Sequence, residues 1–423
     1  MKYSHIIKRS LPAFLGARLA PVLGISAVFL LVAHKNPTDL AIFSYVLAAA
    51  SVISAFFSLI LATTGNRAAA LAQDHAAQRD LFAGGFTLAL LIAALTAITC
   101  LCAMFFISGT SGARHLDTEV FWSLSLIYIA STPLLVINSF LQIFLEATGK
   151  AANCANRKIL ATVTCVGSLG LLFVGASAEA FKYWAMAYFL ISELLVLFLL
   201  IRLCGHQRYC SSGQARKLSG YFVRTGVPVA AGMSGQKIYF YLLTERLLRI
   251  DTHLVAQLSV FMTLVGLLII PSVALSQIHS LQVSQRIRQS KGFFAAGLTW
   301  TLGIMLLSAV ALYFLGEYLF FIAGGSIIDY SRRLFLTLIV FLTCSALLSL
   351  AMAHLRARHE TFVPQLVINT LMLAFLIPGL YHFQFIDPDV ETFLLLQSAA
   401  VFTGFLLLCG RIFFIHRHDD EAA

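Results

Sequence analysis

Twelve runs of mostly apolar residues, each at least as long as the roughly 18 residues a membrane-spanning helix requires, follow one another along this chain with short polar breaks between them. They fall near 11–33, 38–64, 82–108, 118–145, 159–176, 181–203, 221–244, 252–280, 293–322, 330–355, 362–383 and 390–414. Within a bilayer the backbone has no water to bond, so each run must satisfy its own N–H and C=O groups, and the α-helix does this within a single segment. The sequence therefore reads as an all-α polytopic membrane protein with twelve transmembrane helices. Composition agrees: 59% of the 423 residues are hydrophobic and 11% are charged, with a mean hydropathy of +0.87, where an average soluble domain is about 25% charged.

The net charge of +10 would point to nucleic acid if the basic residues formed a patch, but they are scattered over short loops, so no nucleic-acid partner is expected. Their distribution carries orientation instead. The N-terminus, the alternate breaks near 67–79, 150–158, 202–224, 286–291 and 356–358, and the tail hold 20 Lys and Arg, against 7 in the opposite set. Cytoplasmic loops accumulate these residues, so both termini are expected in the cytoplasm, with the chain in a bacterial inner membrane. The opening MKYSHIIKRSLP shows no small-residue cleavage site, and the first run reads as a retained span. Eight cysteines lie mostly in or beside apolar runs without metal-site spacing and read as small buried hydrophobes. The twelve histidines are dispersed, and no H-x-x-x-H or D-x-x-D pair falls on one helix face at a membrane boundary, which argues against an enzyme. Nothing in the pattern calls for a cofactor or a metal.

The chain also looks duplicated. LAIFS at 40–44 is matched by VAQLS at 255–259, and FAGGFT at 82–87 by FAAGLT at 294–299. Arg9-Ser10-Leu11-Pro12 is likewise matched by Arg224-Thr225-Gly226-Val227-Pro228. The matches share an offset close to half the chain. Six spans per half return the chain to its starting side, so the repeats are parallel, related by an axis along the membrane normal, with a cavity expected between them. The expected organisation is an N-terminal six-helix lobe over 1–204, a cytoplasmic linker over 205–220 (polar, basic and glycine-containing) and a C-terminal six-helix lobe over 221–423.

Several segments, at corresponding places in both halves, resemble the multidrug and toxic-compound extrusion (MATE) transporters of the MOP flippase superfamily. TDLAIFSYVLAAASVISAFFSLILATTGNRAAALAQ (38–73) resembles the end of the family's first loop and its second helix, and IIPSVALSQIHSLQVSQRIRQSKGFFAAG (269–297) the eighth helix with the basic loop after it. LQIFLEATGKA (141–151) and HLRARHETFVPQLVIN (354–369) resemble the ends of the fourth helix and its counterpart, and LIPGLY (376–381) the end of the eleventh. The resemblance implies a secondary transporter that exports small amphipathic organic compounds by alternating access, driven by H⁺ or Na⁺ and working as a single chain. It also implies coupling carboxylates in the first, seventh and tenth helices. By this alignment those places hold Ala27, Gln236 and Ser345 instead. A cargo of opposite character, an anionic lipid-linked saccharide, peptide or siderophore, is the alternative in the same superfamily.

Polar residues at bilayer depth carry the functional reading, because a lysine there costs about 3 kcal/mol on insertion scales. Lys237 lies in the middle of the seventh span, beside Gln236, and is available for an anionic substrate group unless it snorkels or pairs with an acid. Glu193, eleven residues after Lys182 and nine before Arg202, sits near the midplane of the sixth span. It is the candidate for ion coupling, or else a structural partner of Arg18. Asn138, Gln277, His279, Asn369 and Arg18 are candidate lining residues for a substrate, the neutral ones serving equally well as helix-to-helix ties. Pro228 and Pro271 match family positions and are candidate pivots, since proline frees a backbone carbonyl and bends a helix.

Overall fold

The structure, a computed structural model, describes residues 3–71, 74–109, 116–205, 207–285, 290–324, 328, 330–358, 360–382 and 390–422. Among these residues the regular secondary structure is helical throughout. In chain order the helices are α1 (Tyr3–Lys35), α2 (Pro37–Ile60), α3 (Thr64–Ala70), α4 (His75–Ser108), α5 (Thr118–Ala147), α6 (Ala151–Gly175), α7 (Ala178–Cys204), α8 (Ser212–Tyr221) and α9 (Val227–Ile250). They continue with α10 (Thr252–Gln285), α11 (Ser290–Gly324), α12 (Arg332–Ala357), α13 (Phe362–Asn369), α14 (Ile377–His382) and α15 (Val390–Ala422). A tight turn at Leu61–Thr63 joins α2 to α3, and wider π turns at Phe222–Gly226 and Thr370–Leu376 join α8 to α9 and α13 to α14. Several helix starts are fixed by a side chain. Asp74, Asp117, Ser177 and Ser331 accept hydrogen bonds from backbone N–H groups of the first turns of α4, α5, α7 and α12.

Eleven of these segments are long and apolar enough to cross a membrane. Large apolar side chains on their outer faces stay uncovered by protein, Leu171 at 78%, Phe106 at 76% and Phe314 at 76% exposure among them, the surface that lipid covers. The chain is an all-α, multi-pass membrane protein. The segment expected as the seventh span differs from expectation in two ways. It begins in the expected linker, running from Ser212 through the π turn to Ile250, and α9 is not among the eleven apolar spans. Gln236 and Lys237 interrupt its middle, and Glu245, Arg246 and Arg249 fill its last turns. A helix of this composition needs protein surface beside it, and α9 has it, packed along α2.

By packing, the chain divides into two compact units, Ala20–Ala256 and Met1–Leu19 with Gln257–Ala423, which part at other points than the expected lobes. Within Ala20–Ala256, α5 packs on α4, α7 and α2, and α6 on α7. Phe82, Phe86, Phe140 and Phe144 form its aromatic core. Within the other unit, α12 packs on α11 and α15.

The duplication extends to contacts. Phe82 meets Phe144 with ring centroids 4.9 Å apart, and Phe294 meets His354 at the same 4.9 Å. A Cβ on Gly85 would fall 2.6 Å from Phe140, and one on Gly297 would fall 3.2 Å from Leu350. The four pairs of positions match at nearly the offset read from FAGGFT and FAAGLT. In each half a glycine and a ring let one helix approach the next.

At Gly226 two backbones come close: a Cβ there would clash with the Ile60 carbonyl oxygen, a backbone atom that α2 holds in place. Gly226→Ala is expected to destabilise the protein by about 1–3 kcal/mol, read as a lowered melting temperature in detergent. Gly220→Ala, where no atom lies within 4 Å, should leave it unchanged or slightly raised.

Candidate functional site

Three polar groupings stand out on the described helices. The first is on α9. Pro228 occupies the first turn of this helix, directly after the π turn, where the Val227 N–H reaches back to the Phe222 carbonyl. A missing proline N–H and a wide turn together loosen the helix at this point. Beyond it, Tyr239, Leu243 and Leu247 are fully buried at four-residue spacing, and Tyr241 meets Tyr45 of α2 with ring centroids 6.0 Å apart. Two residues before Tyr239 is about 200° around a helix, so Lys237 points away from the buried stripe. Its side chain is exposed and, among the described residues, has neither an ion pair nor a hydrogen bond. Gln236 beside it is half-buried. Further on, Arg249 pairs with the buried Glu245 one turn before it, so the acid of this helix is engaged away from Lys237.

The second grouping joins α5, α6 and α7. Asn138 is buried and donates to both the backbone carbonyl of Glu193, at 2.8 Å, and its carboxylate Oε2, at 2.6 Å. The Glu193 side chain is half-buried on α7. One turn further along α5, Gln142 donates to Glu146 at 2.7 Å and accepts from Lys158 of α6. Asn138, Gln142 and Glu146 form a polar stripe at four-residue spacing, which orders a carboxylate and an ammonium on neighbouring helices. Gln142 and Lys158 were not among the sequence candidates. The spacing 138, 142, 146 was the available signal.

The third grouping gathers three of the histidines that look dispersed in sequence. His279 of α10 is fully buried. Its Nδ1 lies 2.6 Å from the Tyr3 hydroxyl and its Nε2 3.0 Å from His354 Nδ1 of α12. His354 Nε2 lies 3.3 Å from His416 Nε2 of α15, which is also 3.2 Å from the Ser290 hydroxyl. Both ring nitrogens of His279 are therefore engaged within the protein, which leaves neither for a ligand.

The remaining candidates are separate from these groupings. Arg18 donates to the Phe14 carbonyl at 2.9 Å with its guanidinium over the Phe14 ring, the local arrangement of a side chain folded back along its own helix. Gln277 is exposed on α10, Pro271 lies inside that helix, and Asn369 ends α13 immediately before the second π turn. Pro378 follows that turn just as Pro228 follows the first.

No protein-family profile matches the sequence, and no curated protein does. Solved structures do. An inward-facing multidrug resistance MATE family transporter of the MOP superfamily matches with a TM-score of 0.68 at 14% identity, over 95% of this chain and 96% of its own. An outward-facing one matches at 0.67 and 16% identity, over 97% and 96%. A MOP superfamily transporter from Pyrococcus furiosus matches at 0.68 and 16% identity, over 96% and 95%. This chain has the MATE fold. The match runs nearly end to end, so α9 and its lysine, as well as the α5–α7 pair, belong to the shared fold rather than to an appended domain.

Two outcomes follow from this geometry. In a variant freed of the native cysteines, Lys237→Cys should react with a charged, membrane-impermeant thiol reagent at least about tenfold faster than Leu243→Cys on the buried stripe; equal rates would place position 237 out of water. Asn138→Leu removes both bonds to Glu193 and leaves a half-buried carboxylate acceptor short of a donor. It should cost about 1–3 kcal/mol in thermal unfolding, while Gln277→Leu costs little.

Proposed function

We propose that this chain is a secondary active transporter of the MATE type that moves cargo outward across a bacterial inner membrane. It works as a single chain with both termini in the cytoplasm. The two lobes, 1–204 and 221–423, alternate access to a shared cavity, with Pro228 and Pro271 as pivots. The observation that carries this reading is the match, over at least 95% of the chain, to MATE structures described as inward-facing and outward-facing. Two states of one fold are what alternating access requires.

Glu193 is the coupling group in this reading. It is the carboxylate farthest from both ends of a span, and the Asn138 amide holds it in one position. A carboxyl group takes a proton in one state and releases it in the other, so a gradient of H⁺, or of Na⁺ competing for the same oxygens, biases the cycle. Gln236, Gln277, Asn369 and Arg18 supply polar lining for the cargo. His279, with both nitrogens engaged, does not.

The multidrug description of the solved relatives favours small amphipathic organic compounds. A second reading, cargo with an anionic group such as a lipid-linked saccharide, an acidic peptide or a siderophore, is favoured by Lys237, an exposed cation without an acid partner among the described residues. The Pyrococcus furiosus relative is described by a binding pocket of reverse polarity that suggests a different function, a precedent on this fold for such a change.

Transport in proteoliposomes with an imposed pH or Na⁺ gradient tests both readings. Glu193→Gln should abolish gradient-driven accumulation while leaving the protein folded, and intact transport would remove the coupling assignment. Lys237→Glu should reduce transport of labelled anions by more than about tenfold, the scale of one opposed charge in a partly desolvated site, and spare or improve that of cations. Unchanged transport of both classes would exclude the anionic cargo.

A further inference from the structure

The chain Tyr3–His279–His354–His416 plays no part in the transport reading above, and all its members belong to the unit Met1–Leu19 with Gln257–Ala423. It does not form a metal site. His354 offers Nδ1 to one neighbour and Nε2 to the other, so the three rings do not converge on a point, and no metal-binding group occurs among the described residues. Nor does it lead across the membrane. Tyr3 opens α1, Ser290 opens α11, and His279, His354 and His416 lie in the last turns of α10, α12 and α15, so the whole chain sits at one end of the unit.

We propose that these three histidines form a binding site for a single proton and that its occupancy controls the seat of the first turn of α1. Proton counting carries the argument. A neutral imidazole has one N–H and one acceptor nitrogen, and each N···N contact must hold one proton. Three neutral rings carry three protons. The contacts His279–His354 and His354–His416 take one each, and with the Tyr3 hydroxyl donating to His279 Nδ1 the third sits on His416 Nδ1. Adding one proton leaves both contacts satisfied and fills the only nitrogen still bare, His279 Nδ1, whichever ring bears the charge. A second addition would force two N–H groups to face one another. The capacity is therefore one.

Uptake reverses the bond at Tyr3. His279 becomes the donor, and the tyrosine hydrogen, in a side chain only 6% exposed, loses its acceptor. The Tyr3 ring is stacked on Phe293 at 5.0 Å, and Trp300 donates to Ser4 at 3.4 Å, so this residue anchors the start of α1 to α10 and α11. Protonation weakens that anchor. In the tautomer in which Tyr3 donates to His279 Nδ1, His416 carries its proton on Nδ1 in both states.

The charged groups around the chain come from every element packed on it. Arg358, after α12, donates to Ser290 at 3.1 Å and presents the cluster with a fixed cation, and Arg356 is half-buried on the same helix. Arg411 of α15 is paired with Glu360 at 2.7 Å. His5 and Lys8 of α1, Lys291 of α11 and Arg417 of α15 are exposed. Ser280 and Ser284 of α10 add hydroxyls, Ser284 bonding within its own helix and to Ala357. The corresponding place in the first repeat is apolar, with Phe144 where the second has His354. The fold therefore does not need this polarity.

The test is ¹⁵N NMR of histidine-labelled full-length protein in lipid nanodiscs from about pH 8 to about pH 4, with amide hydrogen exchange of residues 3–11 on the same samples. No cargo is required. We expect His279 Nδ1 to pass from unprotonated to protonated with one imidazolium in the cluster, while exchange of residues 3–11, corrected for intrinsic rates, rises on the order of tenfold. Tyr3→Phe, which removes one hydroxyl, should exchange fast at both ends of the range and still take up the proton. His354→Gln should lose the uptake and the pH dependence together. His279 Nδ1 remaining bare to the acid limit, or identical pH dependence of exchange in wild type and Tyr3→Phe, would overturn the proposal, and both readings stand even if the His354 variant does not fold.

Discussion

A backbone or side-chain polar group at bilayer depth has no water to fall back on, and everything else in this molecule follows from meeting that constraint. It forces each apolar run into a helix and puts capping side chains such as Asp74, Asp117 and Ser331 at helix starts. It also explains how α9, too polar to stand among the apolar spans, keeps its place: the helix lies along α2, with Gly226 bringing the two backbones close enough to exclude everything else.

The same constraint sorts the buried polar side chains into kinds. The Asn138 amide donates to Glu193, and Gln142 links Glu146 to Lys158, so this stripe ties three helices. Tyr3 and the three histidines form a line of hydrogen-bonded pairs that ties α1, α10, α12 and α15 together. Lys237 belongs to neither kind. It is exposed and unpartnered among the described residues, on the side of α9 opposite the buried tyrosine, and an unpaired cation on a membrane helix calls for an anion or for water.

Much of the fold was legible because hydropathy reports directly on burial in lipid, and the duplicated FAGGFT and FAAGLT segments reappear as equivalent contacts of Gly85 with Phe140 and Gly297 with Leu350. The boundaries of the seventh span were not, since the helix begins at Ser212, within residues whose polar, basic composition reads as a linker, and continues through a π turn. Asn138 and Glu193 were both candidates, yet their pairing across 55 residues was not readable, and the Arg18 partnership weighed for Glu193 has no counterpart in spacing either. The histidines illustrate the limit most clearly. At positions 279, 354 and 416 they share no local spacing, and their meeting depends on how α10, α12 and α15 pack.

The sequence by itself determined that this is a helical, multi-pass membrane protein with a repeated half, because those properties depend on the solvent each segment prefers and are local to the chain. Only the tertiary structure decided which polar groups found partners: Glu193 with Asn138, His279 with Tyr3 and His354, and none for Lys237 among the described residues. Partnership is a matter of distance and direction between different helices, and helix packing sets both.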